Sequence, residues 1–104
     1  MIVSMGDHVP GREISQTVGI VRGSIVRARF VGRDFIAGLR NLVGGEVTEY
    51  TQLLEEARQQ AYDRMVTDAE KMGADAILTF RFSTSAIMEG TSEILAYGTA
   101  VKLK

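Results

Sequence analysis

Residues 49–72 read EYTQLLEEARQQAYDRMVTDAEKM, a run that contains neither proline nor glycine. Its apolar residues recur every three or four positions, which places them on one face of a helix. They are Tyr50, Leu53, Leu54, Ala57, Ala61, Met65, Ala69 and Met72. Polar residues fill the opposite face, and Gly73 follows where helices commonly end. The stretch predicts a long amphipathic helix from Glu49 to Met72, with its apolar face against a sheet.

Segments rich in β-branched or alternating apolar residues lie on both sides of this helix. Glu13–Phe30 predicts one long strand or two collinear strands, with a bulge or bend at Gly23 where the alternation changes phase. Ala76–Phe82 predicts a strand with one strongly apolar face, and Glu93–Val101 predicts another strand. A polar connection, Met88–Ser92, would join these two strands in a hairpin.

Two shorter elements complete the expected order. Ile2–Met5 could form an edge strand, and Phe35–Val43 predicts a short helix capped by Asp34 and ended by Gly44 and Gly45. The predicted fold class is α+β, an antiparallel sheet with one short and one long helix, the long helix covering one face. The strands offer more apolar surface than one helix can cover, so we expect the subunit to self-associate.

Composition bounds the size and setting of the chain. With 104 residues, 45% of them hydrophobic, it is long enough for a single domain, taken as residues 1–104, and too short for two. A net charge of −1 lacks the basic excess of a typical binder of nucleic acid or anionic membranes. The chain has no cysteine, which excludes disulfides and thiolate sites. Because no segment has the pattern of a signal peptide or a membrane span, we expect a soluble, cytoplasmic protein.

The chain is poor in groups for nucleophilic catalysis. Its single histidine, His8, lies near the N-terminus and is interpreted as an exposed terminal side chain. Gly44 and Gly45 precede Glu46 rather than the lysine of a phosphate-binding loop, and they predict a hinge between two helices. We therefore expect no enzymatic activity, and the sequence leaves any cofactor open.

A set of short motifs occurs in order along nearly the whole chain. They are Arg33-Asp34-Phe35, Val43-Gly44-Gly45-Glu46, Tyr50-Thr51, Ala57-Arg58, Arg64-Met65, Gly73-Ala74-Asp75-Ala76-Ile77 and Glu93–Val101. Together they resemble the YbjQ-like family, small bacterial and archaeal proteins that carry a heavy-metal-binding label. The resemblance implies a homopentamer in which strands of neighbouring subunits extend one another's sheets into a ring.

The ligand chemistry gives little support to the heavy-metal label. Soft metals prefer thiolate, thioether or imidazole ligands, whereas this chain has one histidine, five methionines and no cysteine. Asp7 with His8, or Glu89 with Glu93, could ligate a hard cation, although neither pair has a recognised ligand spacing. A ring of subunits would repeat each carboxylate around its axis, so that copies from several subunits could together ligate a metal. The metal-binding residues, if any, are therefore left unassigned.

Arginines are concentrated in one part of the chain, at positions 22, 27, 29 and 33. Such a cluster can bind the phosphates of RNA or of a small anion. It can equally pair with carboxylates of a neighbouring subunit, since arginine is favoured at interfaces. The candidate ligand or interface residues are Arg27, Arg29, Arg33, Asp34, Glu46, Tyr50 and Glu93.

These observations lead to one expected function and one alternative. The first is a non-enzymatic oligomer, a pentamer by the resemblance, that binds a small ligand or a heavy metal. The alternative is an oligomeric scaffold that binds an anionic partner, RNA or a phosphorylated ligand, through the arginine cluster. Nucleic acid is the less favoured partner because the net charge is −1.

Overall fold

A computed structural model describes the chain over residues 1–28, 48–88 and 91–104. Its elements, in chain order, are strand β1 (Ile2–Val3), strand β2 (Ile14–Ala28), helix α1 (Thr48–Lys71), strand β3 (Ala76–Met88) and strand β4 (Thr91–Leu103). The α+β class is confirmed. The predicted short helix, Phe35–Val43, lies outside the described residues.

The four strands form one sheet in the order β1-β3-β4-β2. The three long strands are antiparallel, because β4 pairs in that sense with both β2 and β3. The sheet is nevertheless mixed, since Ile2 and Val3 of β1 pair in parallel with Ala76 and Ile77 of β3. The chain between β1 and β3 contains β2 and α1, a crossover long enough to return it in the same direction.

Helix α1 confirms the predicted amphipathic helix to within a residue at each end. Its face against the sheet is built on small side chains around one large one, and the predicted polar face is exposed. The buried helix residues are Ala57, Ala61, Met65 and Ala69, and they join a core with Val21, Ile25, Ile77, Ile94, Ala96 and Ala100. Met72, predicted to belong to the apolar stripe, follows the helix and is 38% exposed.

The end of α1 is fixed by Gly73, which has a φ of 76°. The Gly73 N–H donates to the Glu70 carbonyl at 3.0 Å, and the Ala74 N–H donates to the Ala69 carbonyl at 3.1 Å. These two bonds are those of a Schellman motif, in which the residue after the helix adopts the left-handed conformation that glycine tolerates best. The predicted helix stop at Gly73 is confirmed.

The irregularity predicted at Gly23 lies elsewhere in β2. The register of β2 against β4 shifts between Ile14 and Gln16 and again between Thr17 and Gly19. From there to Ala28 the pairing with β4 proceeds without a shift, through Gly23 itself. The prediction of a bulge at Gly23 is therefore wrong.

Gly23 is instead required by the approach of the helix. A Cβ atom at this position would collide with the Ala61 carbonyl oxygen and the Met65 amide nitrogen, and it would lie 2.8 Å from the Arg64 Cβ. Two of these three atoms belong to the helix backbone, which cannot rotate away as a side chain can. The strand and the helix therefore touch backbone to backbone at this point.

Strand β3 contains one extra residue relative to β4, between Leu78 and Arg81. Thr79 in this bulge has a φ of 53°, an uncommon value for a β-branched residue. The extra residue exchanges the faces of the strand, so Leu78 packs on the side away from α1 whereas Phe80 packs on the α1 side. The predicted single apolar face over Ala76–Phe82 is therefore wrong, because strict alternation stops at the bulge.

The N-terminal segment is bonded to both sides of this bulge. The Ser4 N–H donates to the Ile77 carbonyl at 2.8 Å, and the Ser4 carbonyl accepts from the Phe80 N–H at 3.0 Å. The Gly6 carbonyl accepts from the Thr79 N–H at 2.8 Å. The segment is thus an integral part of the sheet edge rather than a free tail.

A second, smaller core lies on the sheet face away from α1. It consists of Val9, Ala76, Leu78 and Val101, with Leu103 packed against it. Val9 of the N-terminal segment therefore covers this end of the sheet on the face opposite α1.

Strands β3 and β4 both run further than predicted, so their connection is shorter than Met88–Ser92. At Gly98 of β4, a Cβ atom would lie 2.6 Å from the Ile77 Cγ2 and 2.9 Å from the Leu78 carbonyl oxygen. The neighbouring strand β3 is thus what requires glycine there. The long strands also make the described part of the chain elongated: its radius of gyration is 17.3 Å, against roughly 13 Å for a compact domain of about 100 residues.

Candidate functional site

A groove runs between helix α1 and the outer part of strand β3. Four helix side chains at positions 55, 58, 59 and 62 form one wall, because residues three and four apart share a helix face. Phe80 and Phe82 of β3 form the floor, and the groove has a volume of about 440 Å³. This size falls within the usual range for sites that hold small molecules, roughly 300–1,000 Å³.

Three aromatic rings form a row along the groove: Tyr62 of the wall, then Phe80 and Phe82 of the floor. The Tyr62 and Phe80 ring centroids are 5.6 Å apart with the ring planes at 87°, and the Phe80 and Phe82 centroids are 4.8 Å apart with the planes at 76°. Both pairs have the edge-to-face geometry that aromatic quadrupoles favour. Phe82 is the outermost ring and remains 43% exposed. The row therefore presents an aromatic surface to the groove.

The bulge in β3 creates this row. Without the extra residue between Leu78 and Arg81, the side chains of Phe80 and Phe82 would share the face of Ala76 and Leu78, away from α1. With it, Phe80 packs against the α1 core and meets Tyr62. A backbone irregularity thus supplies the floor of the site.

The wall of the groove carries one carboxylate, one guanidinium and one amide. Within the described side chains, ion pairs join only His8 to Asp7 and Lys104 to Glu13, so Glu55 and Arg58 have no ion-pair partner there. The Gln59 amide nitrogen donates to the Asp63 carboxylate at 2.9 Å, and the described residues give its carbonyl oxygen no recorded donor. The wall therefore offers both signs of charge beside an aromatic floor.

Of the site residues predicted from sequence, Glu93 is the one whose side chain is described. It lies on the sheet face away from α1 and accepts a hydrogen bond from the Ser24 hydroxyl at 2.9 Å. The backbone of Arg27 belongs to β2, opposite Ser92, and Tyr50 lies in the first turn of α1. The predictions for Arg29, Arg33, Asp34 and Glu46 fall outside the described residues.

The groove residues were not among those predictions. Sequence periodicity placed Glu55 and Gln59 on the polar face of the helix and both phenylalanines on a buried strand face. The missing signal was the bulge at Thr79, because nothing in the residue types at positions 78–81 indicates a left-handed backbone there.

The histidine proposed as a hard-cation ligand is paired with its neighbour. The Nδ1 atom of His8 lies 3.0 Å from an Asp7 carboxylate oxygen, and both side chains are largely exposed. The hydrogen bond with His8, together with an Asp7 backbone hydrogen bond and the histidine charge, lowers the pKa of Asp7 below its ordinary value of 3.8. Among the described residues, no three histidine or acidic side chains come together in a way that could hold a metal ion.

Fold and groove together define a class: a small α+β protein with an elongated, long-stranded sheet and a ligand-sized groove under its one described helix. The chain belongs to the YbjQ family, described as "Putative heavy-metal-binding", whose pattern matches residues 1–104. The resemblance drawn from the sequence motifs is thereby confirmed.

Relatives cover the chain almost end to end. A UPF0145 protein of Methanosarcina acetivorans is 56% identical over 103 residues, 99% of this chain and 97% of the relative. A UPF0145 protein of Photobacterium profundum is 57% identical over 99% of this chain and 100% of the relative. Neither name indicates an enzyme.

A solved structure shares the fold. It is the crystal structure of a protein of unknown function from Pediococcus pentosaceus, assigned to the DUF74 family. It matches with a TM-score of 0.61 at 17% identity, over 100% of this chain and 98% of that one. In the described part of this chain, no helix is both long enough and apolar enough to cross a membrane.

Proposed function

We propose that this protein is a non-enzymatic homo-oligomer that binds a small organic ligand in the groove between α1 and β3. The observation that carries the proposal is the aromatic row Tyr62–Phe80–Phe82, which faces a groove large enough for a small molecule. Aromatic side chains with a few polar groups around them are typical of small-molecule sites. A cytoplasmic location is part of the same proposal.

An organic ligand fits the groove better than a metal ion. The groove wall provides one carboxylate and one amide, whereas hard cations take six or more oxygen ligands and soft metals take sulfur or imidazole. The same wall carries the Arg58 guanidinium, which would repel a bound cation. An apolar ring of a ligand would instead remove the exposed face of Phe82 from water.

The ligand site is tested by replacing the outermost ring of its floor. Native mass spectrometry of untagged protein would reveal any small molecule that remains bound after purification. We expect the mass of that ligand in the wild-type protein and its loss from Phe82→Ala. Met5→Ala serves as the matched control, because Met5 is 65% exposed and lies outside the groove. A ligand retained equally by all three proteins would place the site elsewhere.

Self-association is supported by the open part of the sheet. Ile20 and Val26 of β2 are 67% and 57% exposed, and Tyr97 of β4 lies between them and the β3 edge on the same face. Strand β1 covers the β3 edge only at Ala76 and Ile77, which leaves Arg81–Met88 without a described strand partner on that side. A second copy of the chain is the occupant that we propose, because the subunit is more extended than a compact domain of its size.

The number of subunits rests on the family resemblance, which implies a pentameric ring. Light scattering at micromolar concentration would measure it directly. We expect a mass several times the 11.4 kDa of one chain, and that of a pentamer in particular. A monomer of 11.4 kDa would overturn the oligomer while leaving the ligand groove to be judged by its own experiment.

A further inference from the structure

The charges on the groove wall are arranged along the helix in a definite order. Glu55 is one turn ahead of Arg58, and Tyr62 follows one turn later beside the aromatic floor. Glu55 and Arg58 are both exposed. Residues three apart on a helix are near neighbours and commonly pair when their charges are opposite. Neither side chain makes an ion pair with a described residue, so within the part of the chain that the structure describes both charges are available to a ligand.

We infer that the groove binds a zwitterion with an aromatic ring, that is, a molecule of the aromatic α-amino acid class. This inference rests on the proposed function and names the ligand class of the same groove. The ring lies on Phe80 and Phe82, where edge-to-face or stacked contacts are favourable. The ligand carboxylate accepts from the Arg58 guanidinium, and its ammonium group donates to the Glu55 carboxylate.

Charge complementarity disfavours ligands that carry only one of the two charges. An aromatic acid without an amine can pair with Arg58 but leaves Glu55 unpaired near its carboxylate, and an aromatic amine without an acid can pair with Glu55 but leaves Arg58 unpaired near its ammonium. A ligand with both groups satisfies both side chains at once. The Gln59 carbonyl oxygen is a second acceptor for the ammonium group, since the amide nitrogen of that side chain already donates to Asp63.

Tryptophan is a convenient probe because the chain contains none. The fluorescence anisotropy of free L-tryptophan therefore reports on the ligand when the full-length oligomer is titrated into it. We expect saturable binding that Arg58→Gln and Glu55→Gln each weaken by roughly tenfold, the loss of one charge-assisted hydrogen bond. Glu56→Gln is the matched control, because Glu56 is exposed on the same helix and does not line the groove. Circular dichroism melting would verify that each variant keeps the wild-type fold.

Two analogues with the same indole ring show which charged group of the ligand pairs with Arg58 and which with Glu55. Tryptamine lacks the carboxylate, so Arg58→Gln should not weaken its binding and should strengthen it by removing a like charge. Indole-3-propionate lacks the ammonium, so Glu55→Gln should strengthen its binding for the same reason. Both should bind more weakly than L-tryptophan. The inference is overturned if L-tryptophan does not saturate the protein, or if neither charge substitution alters its affinity. If the inference fails in this way, uncharged indole tests the proposed site separately. Saturable binding of indole that Phe82→Ala abolishes would still support the groove as a ligand site. If indole does not bind either, the proposed ligand site is overturned as well.

Discussion

Gly23 of β2 lies directly against the backbone of α1 at Ala61, so close that a methyl group on the glycine would overlap the Ala61 carbonyl oxygen. The contact explains why the buried stripe of α1 is made largely of alanine. Small residues on the helix and glycine on the strand let the two backbones approach, and Met65 then fills the space beside them with a fully buried side chain. The position of α1 on the sheet therefore depends on the absence of a side chain at Gly23.

Gly23→Ala should destabilise the protein markedly. The added carbon would meet helix backbone atoms, and overpacking of this kind typically costs about 1–3 kcal/mol. Chemical denaturation would measure the loss as a lower midpoint at an unchanged slope. Gly6→Ala is the matched control, because a Cβ at Gly6 would make ordinary contact with the Ser4 hydroxyl at 3.6 Å. Equal stability of the two variants would show that the helix can move away from Gly23 at no cost.

Gly98→Val should lower the melting temperature through strand β3 rather than through the helix. A Cβ there approaches the Ile77 side chain and the Leu78 carbonyl oxygen, both on the neighbouring strand. We expect a loss of about 1–3 kcal/mol in the free energy of unfolding, with the mass of the proposed oligomer retained at low temperature. The melting curve tests the loss of stability, and the mass tests whether the assembly is retained. Dissociation without a change in the stability of the subunit would place a neighbouring subunit at this position instead.

The Asp7–His8 pair makes a prediction about pH. Because His8 lowers the pKa of Asp7, the pair contributes to stability above the ordinary pKa of 3.8, and this contribution is lost as the pH falls through the lowered pKa. His8→Ala should return the Asp7 pKa towards 3.8, as followed by an NMR titration of the side chain. The melting temperature at neutral pH should hardly change, because an exposed pair is well screened. If the Asp7 pKa stays low in His8→Ala, the backbone hydrogen bond of Asp7 rather than His8 causes the shift.

Calorimetry with zinc or nickel should show only weak binding to the wild-type protein. His8 is the single imidazole in the chain, and the described residues bring no third ligand to it. We expect that weak binding to disappear in His8→Ala. The point substitution is preferable to deleting the first eight residues, because Ser4 and Gly6 hold β3 through their backbones. Tight, saturable binding that survives His8→Ala would identify a metal site elsewhere.

The arginine cluster remains a prediction from the sequence. If it binds phosphate groups, Arg27→Gln combined with Arg29→Gln should abolish binding of polyphosphate while leaving the oligomer mass unchanged. The wild-type affinity should fall as salt rises, because phosphate contacts release counterions. If the double substitution dissociates the oligomer instead, the two arginines belong to a subunit interface, which is the outcome that we expect.

The long elements of this fold could be predicted because their side chains obey simple periods. Apolar residues that recur every three or four positions predicted α1, and the glycine at position 73 predicted its end. A run of β-branched residues predicted β2. The errors arose where a backbone detail overrode the period. Gly23 was interpreted as a bulge because a glycine in a strand can either bend it or admit a neighbour, and residue type alone does not distinguish the two. The bulge at Thr79 sits on a residue type that seldom adopts its conformation, so the face change that builds the groove had no signal in the sequence.

That bulge ties the beginning of the chain to the groove. The carbonyls of Ser4 and Gly6 hold the amides of Phe80 and Thr79, and Phe80 is the middle ring of the aromatic row. The backbone of the first residues thus holds the part of β3 that carries the floor of the groove. A change that displaces the backbone of Ser4 or Gly6, such as a tag fused ahead of Met1, should therefore weaken binding in the proposed groove, whereas shortening the exposed side chain of Met5 leaves these backbone bonds in place.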